Sequence, residues 1–169
     1  MDYNIKQYDY ISDLFLQNYN ELNNTDFNLY DVDDTGSDYD FRIINGSKEI
    51  IKVQVKDTFA GVGKEKINIE KFLRGEAVEL PNEGFKLVHE HDRFKYTLNF
   101  ATTGKNTGAY RDCILLIIYK QFPLGDNKDM YLDEMKRIAR SYLGEILEIW
   151  VMNDIRNQGP HKDLCLKII

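Results

Sequence analysis

The chain has 169 residues, of which 43% are apolar and 30% charged, and it carries a net charge of −6. That length suits one domain with a real core, and the apolar share is too high for a disordered chain. The negative balance argues against a protein that holds nucleic acid by bulk charge alone.

The longest apolar run, Cys113 to Tyr119, falls well short of the ~18 residues a membrane helix needs. The start, Met1-Asp2-Tyr3-Asn4, lacks the basic and apolar segments of a secretory signal, so no membrane partner and a cytoplasmic location are expected. Cys113 and Cys165 both sit in apolar stretches and are expected as buried free thiols rather than a disulfide. The charge is unevenly spread. Residues 1–41 hold ten acids against the single base Lys6, whereas residues 42–74 hold eight bases against four acids. An acidic stretch running into a basic one is what a divalent-cation site beside a phosphate-binding surface needs.

Taken in order, residues 5 to 23 read as an amphipathic helix. Tyr8, Ile11, Phe15, Tyr19 and Leu22 recur at three- and four-residue spacing, and Asn23-Asn24-Thr25 stops the helix. Phe27 to Val32 is a short strand, followed by a turn cluster at Asp33-Asp34-Thr35-Gly36-Ser37. Next come two alternating segments. Tyr39, Phe41 and Ile43 oppose Asp38, Asp40 and Arg42; then Ile51, Val53 and Val55 oppose Lys52, Gln54 and Lys56. Each predicts a strand with one buried face, and Asn45-Gly46 between them predicts a hairpin.

The hairpin's register follows from its loop. A two-residue loop at Asn45-Gly46 sets Asp40 opposite Ile51, which puts polar residues on the partner's apolar face. A loop of three or five residues, or a bulge, brings Asp38 or Asp40 opposite Gln54 instead, and this longer connection is expected.

After Lys56 the sequence predicts a Gly-bearing loop over 59–63 and a short helix over 69–74. A second hairpin is expected from Phe85 to His91 and Phe94 to Phe100, turning at Asp92-Arg93. Thr103 to Gly108 reads as a loop, and Cys113 to Tyr119 as a strand buried on both faces. A long helix is expected from Lys128, with Met135, Ile138, Tyr142, Ile146 and Trp150 as its apolar stripe; Leu164 to Ile169 reads as a last strand. There is no repeat or linker, so residues 1–169 are expected to be a single α/β domain.

The stretch that carries chemistry is Gly36-Ser37-Asp38-Tyr39-Asp40-Phe41-Arg42-Ile43 followed by Ile50-Ile51-Lys52-Val53-Gln54-Val55-Lys56. The order of a helix, an acid on one strand and (Glu or Gln)-x-Lys on the next resembles the PD-(D/E)XK nuclease superfamily. That resemblance, covering roughly residues 5 to 75, implies a mixed central β-sheet flanked by helices, restriction-endonuclease-like, and a metal-dependent nuclease acting on DNA in restriction, repair or defence. It implies Mg²⁺ (or Mn²⁺) as cofactor. It also implies catalytic roles for Asp40, Gln54 and Lys56: Asp40 and Gln54 help hold the metal, with Asp38 or a first-helix acid such as Glu21 joining them, and Lys56 lies beside phosphate and water. Gln54 departs from the usual carboxylate, although some branches of the family carry Gln there; Asp38, Glu21 or Asp57 could supply the charge.

The residue types make sense apart from the resemblance. Phosphodiester hydrolysis needs a hard cation with oxygen ligands, an activated water and a counter-charge for the phosphate. Residues two apart on a strand share a face about 6.6 Å apart, so Gln54 and Lys56 can address one phosphate. Lys52, Lys64, Lys66 and Arg74 are candidates for nucleic-acid backbone contacts, with DNA favoured over RNA. The acidic remainder points to recruitment through a protein partner or a homodimer mate. The contrasting reading is a non-catalytic nuclease-fold or acidic inhibitor protein that binds a partner protein.

Other motifs carry less. His89 and His91 share a face of the expected strand, but no third ligand stands nearby. Residues 31–38 lack the bidentate Glu of a calcium loop, since Arg42 stands at the twelfth position. Residues 61–64 lack the spacing of a phosphate-binding P-loop. Tyr3, Tyr8, Tyr10, Phe15 and Tyr19 read as packing rather than as a base-stacking platform.

Overall fold

Apolar side chains at helical spacing make Ile5–Asn23 a helix, α1, in the computed structural model, which describes residues 5–33, 39–47, 49–57, 79–80, 84–85, 90–119, 128–153 and 163–169. Tyr8, Ile11, Phe15, Leu16 and Tyr19 are buried along one side, while Leu22 is exposed and lies outside the core. Asn24 ends the helix in the left-handed region at φ 52°, a conformation Asn tolerates better than most residues. Asn20 then ties the exit down. Its amide donates to the Phe27 carbonyl at 2.9 Å and its oxygen accepts from the Phe27 N–H at 2.8 Å.

The chain continues through β1 (Asn28–Val32), β2 (Phe41–Asn45) and β3 (Glu49–Asp57), an antiparallel meander. The hairpin pairs Phe41 with Val53 and Asn45 with Glu49, which leaves residues 46–48 as a three-residue loop with Gly46 at φ 63°. The longer connection expected from the polar and apolar alternation is therefore present. It keeps Phe41, Ile43, Val53 and Val55 in the core, where a slip of one residue would expose them all.

The short strands β4 (Glu79–Leu80) and β5 (Gly84–Phe85) pair with each other. Residues Glu90–Thr102 then form a helix, α2, which overturns the expected strand at Phe94 to Phe100. The even positions Phe94, Tyr96, Leu98 and Phe100 imitate a strand, but Phe94, Thr97, Leu98 and Ala101 are the buried set and follow the helical period. With this helix, the premise that His89 and His91 alternate on one strand fails. His91 lies in α2, and His89 lies outside the described residues. The expected loop at Thr103 to Gly108 contains one turn of 3-10 helix, Gly104–Asn106.

Strand β6 (Cys113–Tyr119) is buried at every residue and lies parallel between β3 and β7 (Glu148–Asn153). Helix α3 (Lys128–Arg140) joins β6 to β7. It is shorter than expected: the stripe continued through Tyr142, Ile146 and Trp150, but the chain turns after Arg140, Gly144 adopts φ 92°, and Trp150 belongs to β7. Strand β8 (Cys165–Lys167) closes the far edge, antiparallel to β7. The sheet order is β1-β2-β3-β6-β7-β8, a six-stranded mixed open sheet with helices on both faces. Both cysteines are free and buried. No described helix is long and apolar enough to cross a membrane.

One face of the sheet packs under α1 with Phe41, Ile43, Val53, Val55, Ile114 and Trp150. The other packs under α2 and α3 with Leu115, Ile117, Tyr119, Ile149 and Val151. Phe15 sits at the centre of the first core, with its ring 5.2 Å from Trp150, 5.5 Å from Tyr19 and 6.0 Å from Phe41. Phe15→Ala should cost about 3–5 kcal/mol, because the cavity cannot collapse among three large rings. Leu22→Ala should cost less than about 0.5 kcal/mol. Urea unfolding of the two variants beside the wild type checks both values.

Candidate functional site

Asp40 occupies a bend immediately before β2, where the β2–β3 ladder runs out. Its backbone N–H still donates to the Val53 carbonyl at 3.0 Å, but the Val55 N–H lies past the start of β2. The Asp40 carboxylate takes the place of the absent strand. Oδ2 accepts from the Val55 N–H at 2.6 Å and from Gln54 Nε2 at 2.8 Å, while Oδ1 accepts from the Tyr8 hydroxyl at 3.1 Å. Three donors from β3 and α1 thus converge on one side chain. Burial nonetheless pushes the Asp40 carboxyl above its ordinary value, with the Val55 and Tyr8 hydrogen bonds and the Lys56 charge acting in the opposite direction.

Gln54 is almost wholly buried. With its amide nitrogen committed to Asp40, its Oε1 is buried with no hydrogen-bond partner among the described residues. Leaving such an oxygen unpaired costs about 1–3 kcal/mol, so it is a position where a ligand has something to gain. Lys56 lies two residues on along the same face of β3, about 6.6 Å away by strand geometry. Its ammonium sits 5.6 Å over the Tyr110 ring rather than in an ion pair with Asp40, on a flexible stem with three donors.

The other expected site residues separate. Glu21 is exposed at the far end of α1 from Tyr8, roughly 20 Å along the axis at ~1.5 Å per residue, so α1 does not bring it to Asp40. Lys52 shares the polar face of β3 and pairs with Asp112 at 3.5 Å. Asp38, Lys64, Lys66 and Arg74 lie outside the described residues, as does the side chain of Asp57. Among the described residues no three His, Cys, Asp or Glu side chains form a metal-holding group.

Two contributors were not foreseen. Tyr8 reads in the sequence as part of the helix stripe, but a buried phenol needs a partner for its hydroxyl, and that need is the signal that could have marked it. Beside the site, Arg42 grips Asp31 with both arms of its guanidinium, at 2.9 Å through Nε, and its guanidinium carbon lies 4.8 Å from the ring centroid of Tyr30 and 4.7 Å from that of Tyr39. Comparison with protein-family models, curated proteins and solved structures finds no match to the chain.

The raised pKa of Asp40 has a definite sign. Its folded value lies above the ordinary 3.8, so the folded state holds the proton more tightly than the unfolded chain. The charged carboxylate costs stability above the folded pKa, and that cost disappears as pH falls through it towards 3.8. In Asp40→Asn the amide oxygen still accepts from Gln54 and Val55, and its nitrogen can donate to the Tyr8 hydroxyl. The variant should therefore fold, and its stability relative to the wild type should be greatest near neutral pH and shrink as the pH falls. Urea unfolding of both proteins from pH 4 to pH 7 measures that difference.

Proposed function

We propose that the chain is a metal-dependent nuclease of restriction-endonuclease-like fold that hydrolyses phosphodiester bonds in DNA. The observation that carries this reading is Gln54 Oε1, which has no hydrogen-bond partner among the described residues while the same amide's Nε2 donates to the Asp40 carboxylate at 2.8 Å. The supporting order is α1, then Asp40 immediately before β2, then Gln54 and Lys56 on β3. It is the order of parts in the nuclease superfamily that the sequence resembles.

The donor set suits a small hard cation. Asp40 Oδ1 accepts one hydrogen bond and keeps lone-pair capacity, and Gln54 Oε1 is a neutral oxygen with none of its capacity used. Mg²⁺ or Mn²⁺ is content with one or two protein ligands when water and substrate phosphate supply the rest. Once bound, such an ion would lower the pKa of a water and offset charge on the phosphate. Asp40 and Gln54 hold and orient the group. Lys56 swings from the Tyr110 ring to the phosphate, where its ammonium binds a non-bridging oxygen and fixes the scissile bond. Lys52, Lys64, Lys66 and Arg74 serve the flanking backbone, and a protein partner or dimer mate supplies recruitment that the acidic N-terminal third does not.

A second reading, a non-catalytic module that binds a partner protein, draws on one observation. The Asp40 carboxylate already accepts from three donors, as a purely structural clasp would.

Cleavage of single- and double-stranded DNA and RNA with Mg²⁺ or Mn²⁺ separates the two. The expected outcome is cleavage of DNA by the wild type and a loss of about 100-fold or more in Lys56→Ala with its folding unchanged, the scale of removing one charge-stabilising donor. Gln54→Glu gives a second readout. Placing a carboxylate against Asp40 should lower the Tm without metal and enlarge the rise in Tm on adding Mg²⁺. No cleavage under either metal, together with a Tm indifferent to both, would leave the partner-binding module as the better account.

A further inference from the structure

Tyr30 is a large aromatic side chain that remains 50% exposed, next to the polar end of the sheet. It lies where the β1–β2 register shifts between Leu29 and Asp31, a bulge that turns it away from the strand's regular alternation. It is not loose. The Arg42 guanidinium carbon lies 4.8 Å from its ring centroid and 4.7 Å from that of Tyr39, so one cation contacts both rings. Asp31, opposite Arg42 on the neighbouring strand, holds both arms of the guanidinium and accepts from the Tyr39 hydroxyl at 3.4 Å. The cation is thereby fixed in place and its charge balanced.

This arrangement is poorly suited to gripping a phosphate, because the Arg42 fork is committed to a carboxylate. It is well suited to presenting a flat surface. The contact with the fixed Arg42 cation restrains Tyr30, which lowers the entropy that an exposed ring would lose on binding. Its position is telling too. Tyr39 directly precedes Asp40, and Arg42 follows two residues later as the second residue of β2. Lys52 and Lys56 stand on the same face of β3. Lys56 stands four residues along β3 from Lys52, the partner of Arg42, roughly 13 Å at ~3.3 Å per residue, so a single strand with a phosphate at Lys56 would meet Tyr30 with a base a few nucleotides further along.

We propose that Tyr30, backed by Arg42 and Tyr39, is a stacking platform for an unpaired base of a single-stranded nucleic acid threading past Asp40 and Gln54. The inference rests on the nuclease reading and narrows it. A base can lie flat on Tyr30 only where it is free of a pairing partner, so the preferred substrate is a single strand, a flap or a frayed end. Aromatic stacking tolerates every base, so little sequence preference is expected.

The test is binding of a labelled oligothymidine, and of a duplex of the same length, by fluorescence anisotropy in EDTA so that nothing is cut. Tyr30→Ala should weaken binding of the single strand by about 5- to 150-fold, the worth of one stacked base, and leave duplex binding unchanged. Tyr30→Phe keeps the ring and should bind within about twofold of the wild type. Thermal melting shows that each variant is folded. Equal binding of the single strand by Tyr30→Ala and wild type would overturn the platform, as would equal losses on both probes or a wild type that binds no single strand. Lys56-dependent cleavage alongside unchanged binding by Tyr30→Ala would sink the platform alone. A Tyr30 effect in a protein that never cuts would sustain the platform and remove the nuclease reading.

Discussion

A carboxylate that leaves water must be met by donors, and the convergence on Asp40 is where the helix and two strands are locked to one another. The Tyr8 hydroxyl reaches it from the first turns of α1, and the Val55 N–H and Gln54 amide reach it from β3. None of these donors can be supplied from another register. If the β2–β3 hairpin slipped by one residue, Asp40 would face the apolar side of β3, and the Val55 N–H would lose its acceptor. The three-residue loop at 46–48, the docking of α1 and the placing of Gln54 are therefore one constraint met three times.

The same constraint decides where polar groups can sit in the sheet. On one side β3 pairs with the antiparallel meander, and on the other with the parallel pair β6 and β7. Strand β6 is apolar throughout because helices cover both its faces. Strand β3 is apolar only on alternate residues: Val53 and Val55 enter the core under α1, and Lys52, Gln54 and Lys56 project from the opposite face. Neighbouring Leu115 and Ile117 share that face and are already under α2 and α3. The polar face of β3 marks the line where the second core ends. Chemistry placed there has a rigid apolar wall on one side and the Arg42–Tyr30 layer on the other.

Much of this was legible in the sequence because period and chemistry agree over residues 5–57. Tyr8, Ile11, Phe15 and Tyr19 can form a stripe only in a helix, and Ile51, Val53 and Val55 only in a strand. Later in the chain the two periods overlap. Phe94 and Leu98 satisfy both, and the true helical face is disguised because one of its buried members is Thr97. The opposite error arises at Trp150, which continues the spacing of Met135, Ile138 and Ile146 although Gly144 has already turned the chain. A doubly buried strand has no alternation to announce it, and Glu148–Asn153 is such a strand after its first residue. At the site, strand alternation and hairpin register were enough to bring Asp40 and Gln54 together. The reach of Tyr8 was not legible, because it depends on how α1 lies across the sheet. Nor was the Tyr30–Arg42–Tyr39 layer, because the bulge in β1 shifts Asp31 opposite Arg42, and nothing in the alternation of residues 28–32 marks it.

The departure of Gln54 from a carboxylate acquires a physical reason in this geometry. Asp40 is costly to ionise where it stands, with burial the strongest influence on its carboxyl. A Glu at position 54 would bring a second negative charge against it and would offer no donor. Gln answers both demands with one group. Its nitrogen helps Asp40 hold its charge, and that same bond turns Oε1 away from Asp40 and leaves it unpaired. On the nuclease reading, the protein accepts a weaker oxygen ligand and gains a clasp that closes before any ligand arrives. On that reading, this trades metal affinity for a site already assembled in the free protein. The substrate phosphate and its waters would complete the coordination that a second carboxylate provides elsewhere, and the ion would be held firmly only when nucleic acid is in place.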